Sequence, residues 1–319
     1  MTGQAELNLN GANDTKGVVL LRDSMPIYMR EFIAGGIAGG FAKTAVAPLE
    51  RVKILFQTRL GNFQSMGILR SLRHIHKTEG FWGLYRGNGA AVIRIVPYAA
   101  LHFMTYERYR QWLVDKCPSA GPSVHLFAGS LAGGTAVLCT YPLDLARTRL
   151  AYQATNPHAT YSDLGSVFQS VYRQSGIRGL YRGLCPTLYG ILPYAGLKFY
   201  LYESLQGHLS SEHENSLFAK LACGAVAGLV GQTFTYPLDV VRRQMQVQPA
   251  PASGTQEKAF KGTLDALSSV VRNQGWKQTF SGVTINYLKI VPSVAIGFVV
   301  YDGMKLWLGI PPRRRPQKE

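Results

Sequence analysis

Three short runs of the chain each set an acid three residues ahead of a base, just behind a proline. They are Pro48 with Glu50 and Lys53, Pro142 with Asp144 and Arg147, and Pro237 with Asp239 and Arg242. Positions three apart share a helix face, so each run presents a carboxylate beside a cation. A single pair of this kind is a surface salt bridge worth little. Three at one repeat position can do more, because each base can meet the acid of the next copy and close a ring of ion pairs. A second set has the same form: Glu107 with Arg110, Glu203 with Gln206, and Asp302 with Lys305. That ring closes less tightly, since Gln206 is neutral and only hydrogen-bonds. Two rings at opposite ends of one cavity are what alternating access requires. Covalent chemistry has no comparable signal: no nucleophile–base pair, phosphate-binding loop or metal-ligand cluster is legible. The sequence therefore predicts no enzyme, no cofactor and no metal.

The segments that carry these residues repeat. The three prolines lie 94 and 95 residues apart. Each is preceded nine residues earlier by a glycine (Gly39, Gly133, Gly228), which follows another by four (Gly35, Gly129, Gly224). A second signature reads EGFWGLYRG, SGIRGLYRG and QGWKQTFSG; a third begins at Tyr106, Tyr202 and Tyr301. Recurring features of this kind at a fixed period mark a repeat architecture. The boundaries are a polar tail over 1–26, repeats over 27–116, 117–211 and 212–308, and a basic tail over 309–319.

Each repeat holds two weakly polar segments of helical length, over 27–57 and 88–114, 122–153 and 184–207, and 217–247 and 283–308. All exceed the ~20 residues that span a bilayer. Between them lies a shorter amphipathic stretch, such as 66–78, suited to a helix at the interface. The fold class is thus all-α: six transmembrane helices in three pseudo-symmetric repeats, with short interfacial helices. Pro48, Pro142 and Pro237, and Pro97, Pro193 and Pro292 in the even helices, are expected to kink their helices. The paired glycines let odd and even helices approach closely.

Composition agrees with this reading. Apolar residues make up 46% and charged ones 16%, against about 25% charged in ordinary soluble domains. A mean hydropathy of +0.00 means that the spans carry polar faces, which need a wet cavity or internal partners. The net charge of +16 points to an anionic partner, and the spans argue against a soluble nucleic-acid binder. Cys117, Cys139, Cys185 and Cys223 are scattered, with neither disulfide nor zinc spacing. The N-terminal tail has acidic Glu6, Asp14 and Asp23 and no apolar run, unlike a signal or transit peptide. The intra-repeat loops carry twelve Lys/Arg against seven on the other side, which puts those loops inside and both termini outside.

The motif P-x-[DE]-x-x-[KR], followed by [DE]-G-x-x-x-x-aromatic-[KR]-G and repeated three times over about 27–308, resembles the mitochondrial carrier family. The first copy matches throughout. The second has Ser175 at the acidic position; the third has Gln274 there and Ser281 in place of a base. The resemblance implies a three-fold barrel of helices in the mitochondrial inner membrane, monomeric, with cardiolipin between repeats and both termini toward the intermembrane space. It makes the proline-linked set the matrix gate and the Glu107–Lys305 set the cytoplasmic gate. It also implies the matrix pairings Lys53–Asp144, Arg147–Asp239 and Arg242–Glu50.

A transporter's substrate site lies near the midplane, between the rings. Twelve residues before Tyr106, Tyr202 and Tyr301 stand Arg94, Gly190 and Lys289: two cations and one small residue followed by Ile191. A flat base can slide onto Gly190–Ile191, with Tyr194 one turn on to stack or hydrogen-bond. Lys43 and Lys198 add cations. Lys198 and Lys289 could instead snorkel, Tyr194 could be a core aromatic, and the histidines read as structural. Within the family, Gly–Ile here resembles the adenine-nucleotide contact. The run Arg242-Arg243-Gln244-Met245-Gln246-Val247 departs from the RRRMMM of ADP/ATP carriers, and no calcium-binding extension is present. The stretches over 42–59, 87–107, 190–200 and 285–298 resemble coenzyme A carriers. The implied function is coenzyme A transport by exchange with adenine nucleotides. Another adenine-nucleotide (ATP, ADP or AMP) exchanger is the alternative, and a proton-leak (uncoupling) protein a weaker one.

Overall fold

The computed structural model describes residues 25–58, 63–116, 121, 123–153, 161, 163–208, 217–248, 260 and 262–310. Cys117 and nearly all of both tails lie outside them. The described residues form nine α-helices and one 3-10 turn. Six helices are long: α1 Ile27–Gln57, α3 Asn88–Lys116, α4 Ser123–Tyr152, α6 Leu184–Gly207, α7 Leu217–Val247 and α9 Val283–Trp307. Three are shorter: α2 Phe63–Gly83, α5 Leu164–Leu180 and α8 Thr263–Gln274. The order long, short, long recurs three times, as the repeats require. The shortest long helix, α6, has 24 residues, and at about 1.5 Å per residue it exceeds the ~30 Å hydrocarbon core. Three segments are also apolar enough to span by composition alone: α1, α4 and Trp276–Trp307. The prolines expected to kink the long helices all lie inside unbroken helices.

The chain separates into two compact bodies, residues 46–290 and residues 1–45 with 291–319. In the smaller one, buried Ala34, Leu308 and Ile310 pack with Ile33, Tyr301 and Met304. In the larger one, each repeat packs the end of its odd helix on its own short helix. Val52, Leu55 and Phe56 meet Phe63 and Ile75; Leu145, Ala146 and Leu150 meet Val167 and Val171; Val241 and Met245 meet Ala266. These clusters hold the three proline-linked runs in place. Asp163 starts α5 by accepting from the Ser166 N–H, a reciprocal cap that satisfies the open end of the helix. Within α2 the regular helix is interrupted at Gly67 and Gly80, which brackets the amphipathic stretch read from the sequence.

The last glycine of the second signature carries the contact between repeats. Gly87, Gly183 and Gly282 have φ of 83°, 84° and 84°, a left-handed backbone that favours glycine. A Cβ would stand 2.8 Å from the Arg147 carbonyl oxygen at Gly87, 3.1 Å from the Arg242 carbonyl oxygen at Gly183, and 3.3 Å from the Lys53 side chain at Gly282. Each start of an even helix therefore seats against the odd helices that carry the charged runs. Gly87→Ala adds left-handed strain and a backbone clash, together about 1–3 kcal/mol. The measurable outcome is a clear fall in the unfolding temperature of the detergent-solubilised protein. Gly228→Ala, helical and with nothing within 4 Å, should leave that temperature unchanged or raise it.

Candidate functional site: a charged ring beneath a cavity

The proline-linked acids and bases meet as a closed ring of three ion pairs. Lys53 Nζ lies 3.2 Å from Asp239 Oδ2, Arg242 Nη2 lies 2.6 Å from Asp144 Oδ2, and Arg147 pairs with Glu50. The membership is as the sequence predicts, but the pairing is not. Each base meets the acid of the preceding copy, which corrects Lys53–Asp144, Arg147–Asp239 and Arg242–Glu50. The reason is geometric. An offset of three at 100° per residue leaves acid and base about 60° apart, so each helix offers its acid to one neighbour and its base to the other. The offset alone leaves the hand open, and the order in which the helices wind decides it.

Glu50 and Lys53 are buried at 7% exposure and Asp144 at 2%, while Arg147, Asp239 and Arg242 are half-buried. An ion there cannot stand unpaired, since removing one partner of a buried pair costs about 3–5 kcal/mol. Asp144 takes the largest share of partners: besides Arg242 it has Arg243 Nη1 at 3.2 Å, Arg94 Nη1 at 3.5 Å and the Gln246 amide at 2.9 Å. Glu50 has Lys289 Nζ at 3.1 Å as a second cation. Lys53 also donates to Asn286 Oδ1 at 3.0 Å.

Neutral bridges reinforce two of the junctions. Gln57 donates to the Tyr236 hydroxyl at 3.1 Å, which donates to the Ser281 carbonyl at 2.8 Å. Gln246 donates to the Tyr141 hydroxyl at 3.0 Å, which donates to the Arg182 carbonyl at 2.9 Å. The same repeat positions in the remaining junction are Ala47 and Ala151, both buried. Outside the long helices, burial pulls the Arg182 guanidinium below its ordinary value, and nearby Arg149 adds to the pull.

Beside the ring, within residues 46–290, opens a cavity of about 710 Å³, a size suited to a small-molecule ligand. Arg94, Gly190, Ile191, Tyr194 and Lys198 line it together, and so do the ring residues Asp239 and Arg242. Arg94 also donates to Thr140 Oγ1 at 3.1 Å and lies over the Tyr98 ring. Lys289 is held on Glu50 and is not among the lining residues; Lys43 belongs to the other compact body. The second charge set is not joined between copies within residues 46–290. Arg110 pairs with Glu107 on its own helix at 3.4 Å, with both side chains about half exposed, and Glu203 has no ion pair among the described residues. In the smaller body Lys305 lies over Tyr301.

A family model described as mitochondrial carrier protein matches residues 26–116, 119–213 and 213–311. The chain belongs to the mitochondrial carrier family. Among relatives, this carrier is 58% identical over 309 residues to mitochondrial carrier protein CoAc1 of Zea mays, covering 92% of this chain and 91% of that one. It is 56% identical over 323 residues to CoAc1 of Arabidopsis thaliana, covering 96% and 97%. It is 39% identical over 307 residues to the mitochondrial adenine nucleotide transporter ADNT1 of Arabidopsis thaliana, covering 88% and 87%. Family membership makes the carrier a transporter of the mitochondrial inner membrane.

The sequence reading of this carrier missed Tyr141, Tyr236, Gln57, Gln246, Arg243 and Thr148. The signal was present in the repeats: tyrosine precedes the proline in two copies, and glutamine stands four residues after the base in two. It also missed Tyr98 and read His102 as structural; their stacked rings lie one and two turns beyond Arg94 and line the cavity. The third copy's departure at Gln274 is compensated, since Gln274 and Gln244 exchange amide hydrogen bonds at 2.8 and 3.2 Å. The ring's hand gives a direct test. Lys53→Asp and Asp239→Lys should each abolish transport, and the two together should restore it in large part. Lys53→Asp combined with Asp144→Lys should restore nothing. Exchange in proteoliposomes is the measurement for each variant.

Proposed function

We propose that this carrier moves coenzyme A across the mitochondrial inner membrane in exchange for adenine nucleotides such as ADP or adenosine 3′,5′-bisphosphate. The carrying observation is the uneven wall of one cavity, with the cations Arg94 and Lys198 on it beside the flat, uncharged Gly190–Ile191 and Tyr194. Coenzyme A matches that division: phosphates for the cations, an adenine for the flat wall, and an uncharged arm for the remaining volume. The names CoAc1 and adenine nucleotide transporter among the relatives support the same substrate class. A proton-leak role would need no base-binding wall. A carrier of other adenine nucleotides is the second reading, favoured by the likeness to ADNT1.

The mechanism follows from shared cations. Arg94 and Lys289 are held on the ring acids Asp144 and Glu50. A phosphate in the cavity competes for Arg94, which lines it, and reaches Lys289 only as that lysine leaves Glu50; charge-assisted bonds to phosphate are among the strongest available to arginine. Drawing the cations off leaves the buried acids under-compensated, which loosens the ring and favours the Glu107–Lys305 set. The proline-linked ring is the matrix gate in this scheme, and the termini face the intermembrane space. The neutral Gln206 weakens the cytoplasmic gate, so the resting carrier favours the cytosol-open state. It acts as a monomer with cardiolipin between repeats.

Uptake of labelled coenzyme A into liposomes holding the purified carrier, preloaded with ADP or empty, tests the proposal. Uptake that depends on internal nucleotide is the expected result. Uptake of ADP or ATP without coenzyme A moves the assignment to the second reading. Arg94→Ala and Lys289→Ala should each lower exchange about ten- to hundredfold, the loss of one charged hydrogen bond, in a protein that still folds but with a lowered unfolding temperature, since each also removes a partner of a ring acid. Near-normal exchange by both variants overturns the site.

A further inference from the structure

The three ring acids differ in what covers them, and the difference follows the substrate positions of the repeats. Arg94 on α3 covers Asp144 in the next repeat, and Lys289 on α9 covers Glu50. The equivalent residue on α6 is Gly190, and Asp239 receives no such cation. Its side chain keeps 31% exposure, against 2% for Asp144 and 9% for Glu50. Lys53 occupies Oδ2; Oδ1 has no hydrogen-bond partner among the described residues. Asp239 also lines the same cavity as Gly190, Ile191 and Tyr194. One carboxylate oxygen is therefore offered to the ligand, at the wall that takes the base.

We infer that Asp239 is a specificity residue, accepting a hydrogen bond from the exocyclic amino group of a purine docked on Gly190–Ile191. The inference rests on the proposed nucleotide-exchange function. The charge acts in two ways. It repels phosphates, so a nucleotide enters with its phosphates toward Arg94 and its base toward α6. It also discriminates among bases, because adenine carries a donor at C6 where hypoxanthine carries a carbonyl oxygen. A carboxylate facing that oxygen loses a hydrogen bond and gains repulsion. A site built to bond a donor group rejects analogues that lack it far more strongly than an apolar pocket does.

The test compares the KM for ADP with that for inosine 5′-diphosphate, which differs at that position of the base, in proteoliposomes preloaded with ADP. The wild type should show a KM for the inosine nucleotide about tenfold above that for ADP. Asp239→Asn presents an amide that can donate as well as accept, and should bring the ratio near one whatever its overall rate. Asp239→Glu, which retains a charged acceptor, should keep the preference. A wild-type ratio near one overturns the inference, and so does an Asn variant that discriminates as the wild type does. Should Asp239→Asn fail to fold, the wild-type ratio and the Glu variant still decide. Absence of coenzyme A uptake with ADP preferred over the inosine nucleotide would overturn the coenzyme A assignment and leave Asp239's role supported.

Discussion

A carboxylate shut away from water must be matched by a cation, and the proline-linked ring is built around that constraint. Asp144 is 2% exposed and surrounded by three guanidinium groups and a glutamine amide. None of these donors comes from its own helix. Arg94 arrives from α3, and Arg242, Arg243 and Gln246 from α7. The acid thus ties three helices at one point, and its solvation depends on their staying together. Buried ion pairs stabilise little against an apolar alternative. What they supply here is a junction that must either be complete or come apart.

The rest of the larger body serves that junction. Each short helix packs under the run that carries an acid and a base. Each left-handed glycine at the start of an even helix brings that helix close to the ring. The cavity is consequently continuous with the ring, and a ligand within it meets Arg242 and Asp239 as well as Arg94. Cavity lining and ring share side chains, so a charge that faces the cavity is also a partner in the ring.

Much of this was legible in the sequence, and the remainder was hidden for identifiable reasons. The helix over 88–114 was found at Asn88–Lys116 and that over 122–153 at Ser123–Tyr152, because length and a three-fold repeat mark both segments, and hydropathy marks the second as well. The members of the ring were legible because charges in apolar helices stand out. The hand of the ring was not, because spacing within one helix says nothing about which neighbour lies on which side. The Tyr–Gln bridges are neutral, so neither a charge nor a kink marks their members in the sequence. That Arg94 and Lys289 rest on the ring acids Asp144 and Glu50 depends on pairings between different repeats, which no local pattern reveals.

The two Tyr–Gln bridges, and the alanines Ala47 and Ala151 in their place elsewhere, make the three seams of the ring unequal. Two seams have an uncharged latch that a passing anion cannot unfasten by neutralising charge. The seam where Arg147 meets Glu50 has Ala47 and Ala151 at those two positions, so it carries no latch of that kind. The ring is therefore a clasp of unequal links, with the uncharged latch replaced by alanines where the first repeat meets the second.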